Sequence, residues 1–237
     1  MNQPISANQL KNLTGRLRAG TETPADLHAL ADLRMFYKEV LDRAHEEVVG
    51  LCTGHPYVQP MAPRVKTMKT TLEKLLRQPH LLSIAQIRDY AGLRVVVHGT
   101  RTEQNGIATK IAALFRNKDR PPKWIDRRVE PRSGYRAVHL EVRREGILIE
   151  VQIRTALQHR WAELFERAAD KLGRGLRYGE PVPDLSISGG ELVDRLNLLS
   201  EEIDNTERLP HLPESSTAQR TIARSLDSLL NYIEELK

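Results

Sequence analysis

Residues 135–155 carry the pattern that most restricts how this chain can fold. Apolar and polar residues alternate along 135–144 and again along 147–155, and Glu145-Gly146 separates the two runs. Because successive side chains of a strand point to opposite faces, each run predicts a strand, and the short glycine-containing connection predicts a hairpin. One face of this hairpin should be apolar. The other should carry Tyr135, His139, Glu141, Glu150, Gln152 and Arg154.

Helical periodicity of apolar residues predicts the elements around the hairpin. The predicted helices cover residues 6–19, 25–48, 65–77, 107–115, 156–172, 190–206 and 215–236. A further strand is predicted at 93–97, a proline-containing loop at 54–63 and a basic loop at 116–134. Along the chain, the predicted elements are first helices, then strands mixed with helices, and then helices again. This order predicts an α+β fold. We expect an N-terminal helical arm over 1–60, a core over 61–180 and a C-terminal helical arm over 181–237.

The charge of the chain is concentrated in one segment. The net charge is +5, whereas residues 116–144 alone contain ten basic and four acidic residues. Such a segment is usually a solvated surface, but its position beside the hairpin favours contact with phosphate groups. The single cysteine, Cys52, excludes an internal disulfide. No apolar run is long enough for a membrane helix and no signal peptide is recognisable, so we expect a cytoplasmic protein without membrane contact.

Several common catalytic motifs are absent from the sequence. There is no G-x-x-x-x-G-K-[ST] loop, no G-x-G-x-x-G after a strand, no H-E-x-x-H and no His-Asp dipeptide. This excludes a P-loop nucleotide site and metal hydrolase sites of the usual spacing. His159 and Glu163 lie four residues apart on a predicted helix, but two such groups are more often a solvated pair than a metal site.

Two acidic residues are candidates for chemistry. Asp89 lies directly before the strand at 93–97, and Glu150 lies inside a β-branched strand, where glutamate is uncommon. Mg²⁺ takes one or two carboxylates and completes its shell with water and phosphate oxygens, so the pair could hold this ion. Glu150 could also accept a proton from an attacking hydroxyl. Alternatively, Asp89 has only a structural role, as a turn or cap residue.

Cationic and aromatic side chains extend the candidate site. Lys66, Thr70 and Lys74 recur at helical spacing after Arg64, a row that suits a triphosphate or an ordinary solvated helix surface. Tyr135 follows Gly134 at the start of a strand. Its ring could stack on a base, or it could be a surface tyrosine.

Together these motifs resemble the synthetase domain of the RelA/SpoT alarmone synthetases. The resemblance covers residues 64–179, and the short length and absent hydrolase motif resemble the small synthetases of that family. Four blocks occur in the family's order: Arg64-Val65-Lys66-Thr67 with Thr70 and Lys74, Asp89-x-x-Gly92-x-Arg94, Gly134-Tyr135-Arg136-Ala137-Val138-His139, and Glu150-Val151-Gln152-Ile153-Arg154-Thr155.

The resemblance implies a mixed central sheet of the nucleotidyltransferase-like type and a Mg²⁺-dependent pyrophosphokinase. Such enzymes transfer the β,γ-pyrophosphate of ATP to a 3′-hydroxyl and release AMP. It further implies that Asp89 and Glu150 are catalytic and bind the metal. ATP would be bound by Arg64, Lys66, Thr70 and Lys74, and the acceptor by Tyr135, Arg136, His139, Gln152 and Arg154.

The identity of the acceptor stays open at this point. The family as a whole favours GDP or GTP, giving (p)ppGpp-type alarmones. The Lys-Pro-Asn-like run that reads guanine is here Glu130-Pro131-Arg132-Ser133, and other segments resemble toxic small synthetases that modify the 3′-CCA end of tRNA. That alternative adds an antitoxin protein as a partner and is favoured by the basic segment. A non-catalytic RNA-binding module is the third alternative, and the oligomeric state is not predicted.

Overall fold

The fold was analysed on a computed structural model of the chain, which describes residues 4–117, 120–173, 176, 187–209 and 216–235. Its elements are the helices α1 (Ala7–Ala19), α2 (Pro24–Cys52), α3 (Met68–Arg77), α4 (Arg101–Leu114), α5 (Ala156–Leu172), α6 (Ile187–Glu207) and α7 (Thr217–Glu235), and the strands β1 (Val58–Val65), β2 (Ala91–Val97), β3 (Lys123–Asp126), β4 (Val138–Arg144) and β5 (Ile147–Thr155). The predicted boundary at 180/181 and residues 118–119 of the basic segment lie outside the described residues.

The five strands form one mixed sheet in the order β1-β2-β5-β4-β3. Strands β2 and β5 are parallel, and the other neighbouring pairs are antiparallel. The predicted α+β fold with a mixed central sheet and flanking helices is therefore confirmed. The hairpin is confirmed too, although its first strand begins at Val138 and not at residue 135. Glu145 and Gly146 both have positive φ angles, 48° and 85°, as a two-residue turn matching the strand twist requires.

The prediction of a loop over 54–63 is wrong for residues 58–63, which belong to a strand. Strand β1 begins at Val58 and contains Pro60 and Pro63. Proline cannot donate a ladder hydrogen bond, but β1 is an edge strand whose register shifts between Met61 and Arg64, and both features tolerate it. The strand continues to Val65, so α3 starts at Met68 rather than at residue 65.

Two further boundaries differ from the prediction. Helix α4 begins at Arg101, six residues before the predicted start at 107, because Thr100 and Glu103 form a capping box ahead of the first apolar positions. Strand β3 lies inside the predicted basic loop. It is only four residues long, too short for its alternation to be recognised.

Two apolar clusters organise the helices. The larger one joins α1, α2 and α4 to the apolar face of the sheet, including Val138, Leu140, Ile149, Val151 and Ile153. The smaller one joins α5, α6 and α7 through Trp161, Phe165, Leu196 and Leu226, among others. The apolar face of the hairpin strands is therefore buried in the larger cluster, whereas Tyr135 of the polar face packs against the smaller one. None of the described helices is apolar over a length sufficient to span a bilayer.

A buried carboxyl group connects α6 to the end of the sheet. Glu207 is only 1% exposed and accepts hydrogen bonds from Thr155, the N-cap of α5, and from Nε2 of Gln158 at 2.7 Å. Gln158 in turn accepts a hydrogen bond from Nε2 of Gln104 on α4 at 2.9 Å. Burial raises the pKa of Glu207 to about 8, so this side chain is mostly protonated at neutral pH.

We expect the stability of the variant Glu207→Gln, relative to that of wild type, to increase as the pH rises. The folded chain keeps the Glu207 proton up to about pH 8, whereas the unfolded chain loses it above the ordinary value of 4.5. In this window wild-type stability falls by about 1.4 kcal/mol per pH unit relative to the variant, which keeps a neutral group of the same shape. Urea denaturation at pH 5 and pH 8 measures the difference. Parallel pH profiles for the two proteins would show that Glu207 is ionised in the folded state.

Candidate active site

The sheet register brings the polar side chains of four strands to one face. Glu150 of β5 lies between Gly92 of β2 and Glu141 of β4, and Gly92 is also opposite Arg64 of β1. One step along, Gln152 lies between Arg94 and His139. Because directly paired residues point to the same face, these side chains share one surface of the sheet. The predicted polar face is thus extended to β1 and β2.

At one end of this face, Asp89 is held by two lysines. Lys66 Nζ lies 2.8 Å from Oδ2 and Lys74 Nζ lies 2.6 Å from Oδ1. Lys66 is fixed by its backbone, whose N–H donates to the carbonyl of Tyr90 at 2.8 Å, and Lys74 lies on α3. Burial acts to raise the pKa of Asp89, but the two ammonium groups outweigh it, so the pKa lies below its ordinary value. The carboxyl group is therefore ionised at neutral pH.

The two other residues predicted to bind ATP lie close by but are not bonded to this cluster. Arg64 is exposed and, in the part of the chain that the structure describes, its side chain makes no hydrogen bond or ion pair. Thr70 lies in the first turn of α3, where its hydroxyl bonds to Thr67, the N-cap residue. Arg64 is thus available for a ligand, whereas the hydroxyl of Thr70 is engaged locally.

Glu150 is held by a chain of hydrogen bonds along the same face. His139 Nδ1 lies 3.0 Å from Oε1 of Glu150, and Gln152 Nε2 donates to Oε2 at 2.9 Å. His139 Nε2 lies 2.8 Å from the hydroxyl of Tyr135, which also accepts from Nη2 of Arg154 at 3.1 Å. Arg154 is a pure donor, so the chain is consistent when Tyr135 donates to Nε2 and His139 donates its Nδ1 proton to Glu150.

These hydrogen bonds keep Glu150 ionised although it is largely buried. Burial acts to raise its pKa, but the hydrogen bonds from His139 and Gln152 outweigh this, and the pKa lies below its ordinary value. The charge of Asp89 acts in the opposite direction and raises the pKa of Glu150.

The ring of Tyr135 is already covered on one side. The guanidinium carbon of Arg154 lies 4.9 Å from the ring centroid, and the ring of His139 packs edge-on at 5.6 Å. Arg154 is 3% exposed, and its buried Nη1 finds no hydrogen-bond partner among the residues that the structure describes. A base that stacks on this side of Tyr135 must displace Arg154.

Arg136 lies apart from the other residues predicted to bind the acceptor. Its Nε donates to Ser200 at 3.0 Å, and its Nη1 donates to the carbonyl of Arg128 at 2.7 Å and lies 3.5 Å from Asp204. The structure thus directs this side chain into the protein, toward α6, and not onto the sheet face. The prediction erred because it took every residue of the motif as part of the pocket.

Arg94 is a site candidate to which the sequence analysis gave no role. It lies opposite Gln152 on the polar face, and among the described residues it makes no hydrogen bond. Burial and the neighbouring Arg154 lower its pKa. The position of Arg94 could have been predicted from the sequence, because the alternation of residues 91–97 places Gly92 and Arg94 on one face of the strand.

The arrangement of the carboxylates fits a magnesium ion that is completed by a phosphate ligand. No group of three or more His, Cys, Asp or Glu side chains that could hold a metal occurs among the residues described. Asp89 and Glu150 are only two carboxylates, and each of their oxygens accepts one hydrogen bond, which leaves a lone pair on each. Mg²⁺ commonly takes one or two carboxylates with water and substrate phosphates, so the donor set suits it.

The basic segment divides into internal and solvent-facing side chains. Arg128 is 3% exposed and bonds Asp126, Gln104 and Asn105. Arg144 pairs with Glu47 of α2. Within the described residues, five side chains of this segment face solvent at least in part and make no hydrogen bond or ion pair: Arg116, Arg120, Lys123, Arg127 and Arg132.

Comparison with protein families identifies the central part of the chain. The family described as the region found in RelA and SpoT proteins matches residues 63–170. Two uncharacterised proteins, from Mycobacterium bovis and Mycobacterium tuberculosis, are each 34% identical to the chain over 177 residues. The match spans 75% of this chain and 63% of each relative.

Solved structures show the same fold. The small alarmone synthetase 1 of Bacillus subtilis, bound to its product pppGpp, is 25% identical with a TM-score of 0.55, and the match covers 73% of this chain and 89% of that one. The small alarmone synthetase 2 of the same organism is 22% identical with a TM-score of 0.56, covering 87% of this chain and 99% of that one. The α+β architecture with its flanking helices is common to all three.

Proposed function

Because residues 63–170 match the region found in RelA and SpoT proteins, we propose that the chain is an ATP-dependent pyrophosphokinase. It transfers the β,γ-pyrophosphate of ATP to the 3′-hydroxyl of a nucleotide and releases AMP. The observation that carries the proposal is the pair of ionised carboxylates, Glu150 on the polar face of the sheet and Asp89 just before β2, each with its own set of donors. The pppGpp bound to the Bacillus subtilis relative supports this chemistry.

The proposed transfer is an in-line displacement at the β-phosphorus. The 3′-oxygen forms a bond to this atom while the bond to the α,β-bridging oxygen breaks, and the leaving AMP takes the electron pair. The proton of the 3′-hydroxyl passes to Glu150, which its hydrogen bonds to His139 and Gln152 keep ionised. Such transfers depend more on positioning and charge neutralisation than on covalent chemistry.

Lys66, Lys74 and Arg64 bind the ATP end of the site in this proposal. The two lysines are already assembled around Asp89, and Arg64 is free to contact the adenine. Asp89 and Glu150 would hold Mg²⁺, which when bound neutralises charge on the transferred phosphates. The lysines could then turn from Asp89 toward the phosphate oxygens without leaving the cluster.

GDP or GTP is the acceptor that the family relationship favours. Its base would stack at Tyr135 by displacing Arg154, whose guanidinium then becomes available for the acceptor phosphates. The product would be a (p)ppGpp-type alarmone, as found on the Bacillus subtilis relative.

The 3′-CCA end of tRNA is a second candidate acceptor, which the five solvent-facing basic residues of the basic segment favour. Unpaired cations along an exposed edge suit a long phosphate backbone better than a mononucleotide. Trp124 on β3 is 41% exposed within the same segment and offers a ring for an unpaired base. Modification of this end of tRNA would block aminoacylation, which is the action of a toxin.

One competition experiment tests both acceptors. The protein is incubated with ATP, Mg²⁺, GDP, GTP and deacylated tRNA together, and every product is identified by mass. An alarmone with equimolar AMP supports the nucleotide acceptor, and pyrophosphorylated tRNA supports the second candidate. Binding of tRNA without AMP release would overturn the enzymatic proposal and leave an RNA-binding module.

A further inference from the structure

The C-terminal arm contacts the turn over residues 132–136, which carries Tyr135. Ser200 of α6 donates a hydrogen bond to the carbonyl of Gly134 at 2.5 Å and accepts one from Nε of Arg136 at 3.0 Å. Ser200 is 3% exposed. A single hydroxyl group thus bonds to the residues on both sides of Tyr135.

A buried carboxylate one turn further along α6 strengthens this contact. Asp204 lies 3.5 Å from Nη1 of Arg136 and 2.8 Å from Nη1 of Arg101 on α4, and its side chain is 4% exposed. Arg208, directly after α6, also bonds to it at 2.8 Å. Three guanidinium groups therefore neutralise Asp204, and one of them belongs to the turn.

The turn is also enclosed sterically between α5 and α6. Gly134 has a φ of +77°, and a Cβ at this position would lie 2.7 Å from Trp161 of α5 and 2.8 Å from Asn197 of α6. Trp161 in turn donates from Nε1 to the carbonyl of Leu196 on α6 at 2.6 Å. The backbone of the turn is therefore fixed between α5 and α6.

We propose that α6 is a positioning element for the acceptor, acting through Ser200 and Asp204. These residues hold the backbone on both sides of Tyr135 and so determine where its ring and hydroxyl lie. This inference rests on the proposed function. In this proposal the C-terminal arm controls acceptor binding. A partner that shifts α6 would change the affinity for the acceptor and leave the affinity for ATP unaltered.

The separation from the ATP end is visible in the contacts. Across the described ranges, no hydrogen bond or ion pair joins α6 to Lys66, Lys74 or Asp89. Among the described residues, the polar contacts of α6 include those at the turn, at Arg101 of α4, at the α5 N-terminus and at Trp161 of α5, and none of these residues belongs to the ATP end. A disturbance of Ser200 should therefore reach the acceptor before it reaches ATP.

The variant Ser200→Ala is expected to raise the KM for the acceptor about tenfold, the effect of losing the hydrogen bonds that fix the turn. The KM for ATP should stay within about twofold of wild type by the same reasoning. The matched control is Glu202→Gln, an exposed residue of the same helix, which should leave both values unchanged. Equal changes in both KM values, or no change in either, would overturn the positioning role.

Hydrogen exchange gives a readout that does not depend on turnover. Backbone amides of residues 132–140 should exchange faster in Ser200→Ala than in Glu202→Gln, whereas those of 66–77 should not change. Unchanged exchange at 132–140 would overturn the inference. If wild-type protein transfers pyrophosphate to no acceptor, the proposed function fails, and the exchange result still decides whether α6 holds the turn.

Discussion

The variant Glu150→Gln is expected to lower kcat by about 1000-fold, the middle of the range for loss of a general base. An amide has nearly the same shape as the carboxylate, but it cannot accept the proton of the 3′-hydroxyl. Its oxygen can still accept from His139, so the sheet face and ATP binding should be preserved. Single-turnover kinetics and a separate ATP-binding titration measure the two quantities.

Glu141→Gln provides the matched control for this prediction. Glu141 lies directly opposite Glu150 on β4, faces the same side of the sheet and pairs with Arg88 at 2.8 Å. Its loss should change kcat only a few-fold if the effect at position 150 reflects proton transfer and not the mere presence of a carboxylate. A Glu150→Gln enzyme that turns over at the wild-type rate would contradict the role of Glu150 as the base.

The variant Asp89→Asn is expected to lower kcat/KM for ATP by about 100-fold or more, with a higher requirement for Mg²⁺. The substitution removes the anion between Lys66 and Lys74, so the two ammonium groups repel each other and the proposed metal site loses one of its two carboxylates. Activity measured against Mg²⁺ concentration at fixed ATP reports this shift.

The two carboxylate variants should differ in which kinetic quantity they change, as well as in the size of the change. Each variant removes one of the two proposed Mg²⁺ ligands, so both should raise the Mg²⁺ requirement. At saturating Mg²⁺, Asp89→Asn should act mainly through ATP, whereas Glu150→Gln should act on kcat with ATP binding retained. An unchanged Mg²⁺ dependence in Asp89→Asn would place the metal elsewhere and leave Asp89 only the structural role of joining the two lysines.

The sequence was sufficient to predict the hairpin and its two faces. The alternation of 135–155 is long, and a two-residue turn fixes its register, so Glu150, Gln152, His139 and Tyr135 could be assigned to one surface before the structure was considered. The contact of Lys66 and Lys74 with Asp89 was not derivable in this way. It depends on how α3 packs beside β2, which no local pattern records.

The errors came from elements that tertiary packing stabilises. The sequence Val58–Val65 contains two prolines, and only its place at the sheet edge allows it to be a strand. Arg136 was predicted to bind the acceptor because it lies in one motif with Tyr135 and His139. Its partners Ser200 and Asp204 lie more than sixty residues later, on a helix whose docking the sequence does not specify.

The transfer of pyrophosphate itself can be measured directly with ATP labelled at the β-phosphorus. The proposed mechanism predicts that all transferred label appears on the acceptor, that one AMP forms for each acceptor modified, and that the label stays with ATP in the Glu150→Gln variant. Release of labelled ADP with an unlabelled acceptor would mean that only the γ-phosphoryl group moves, and it would contradict the account of this site.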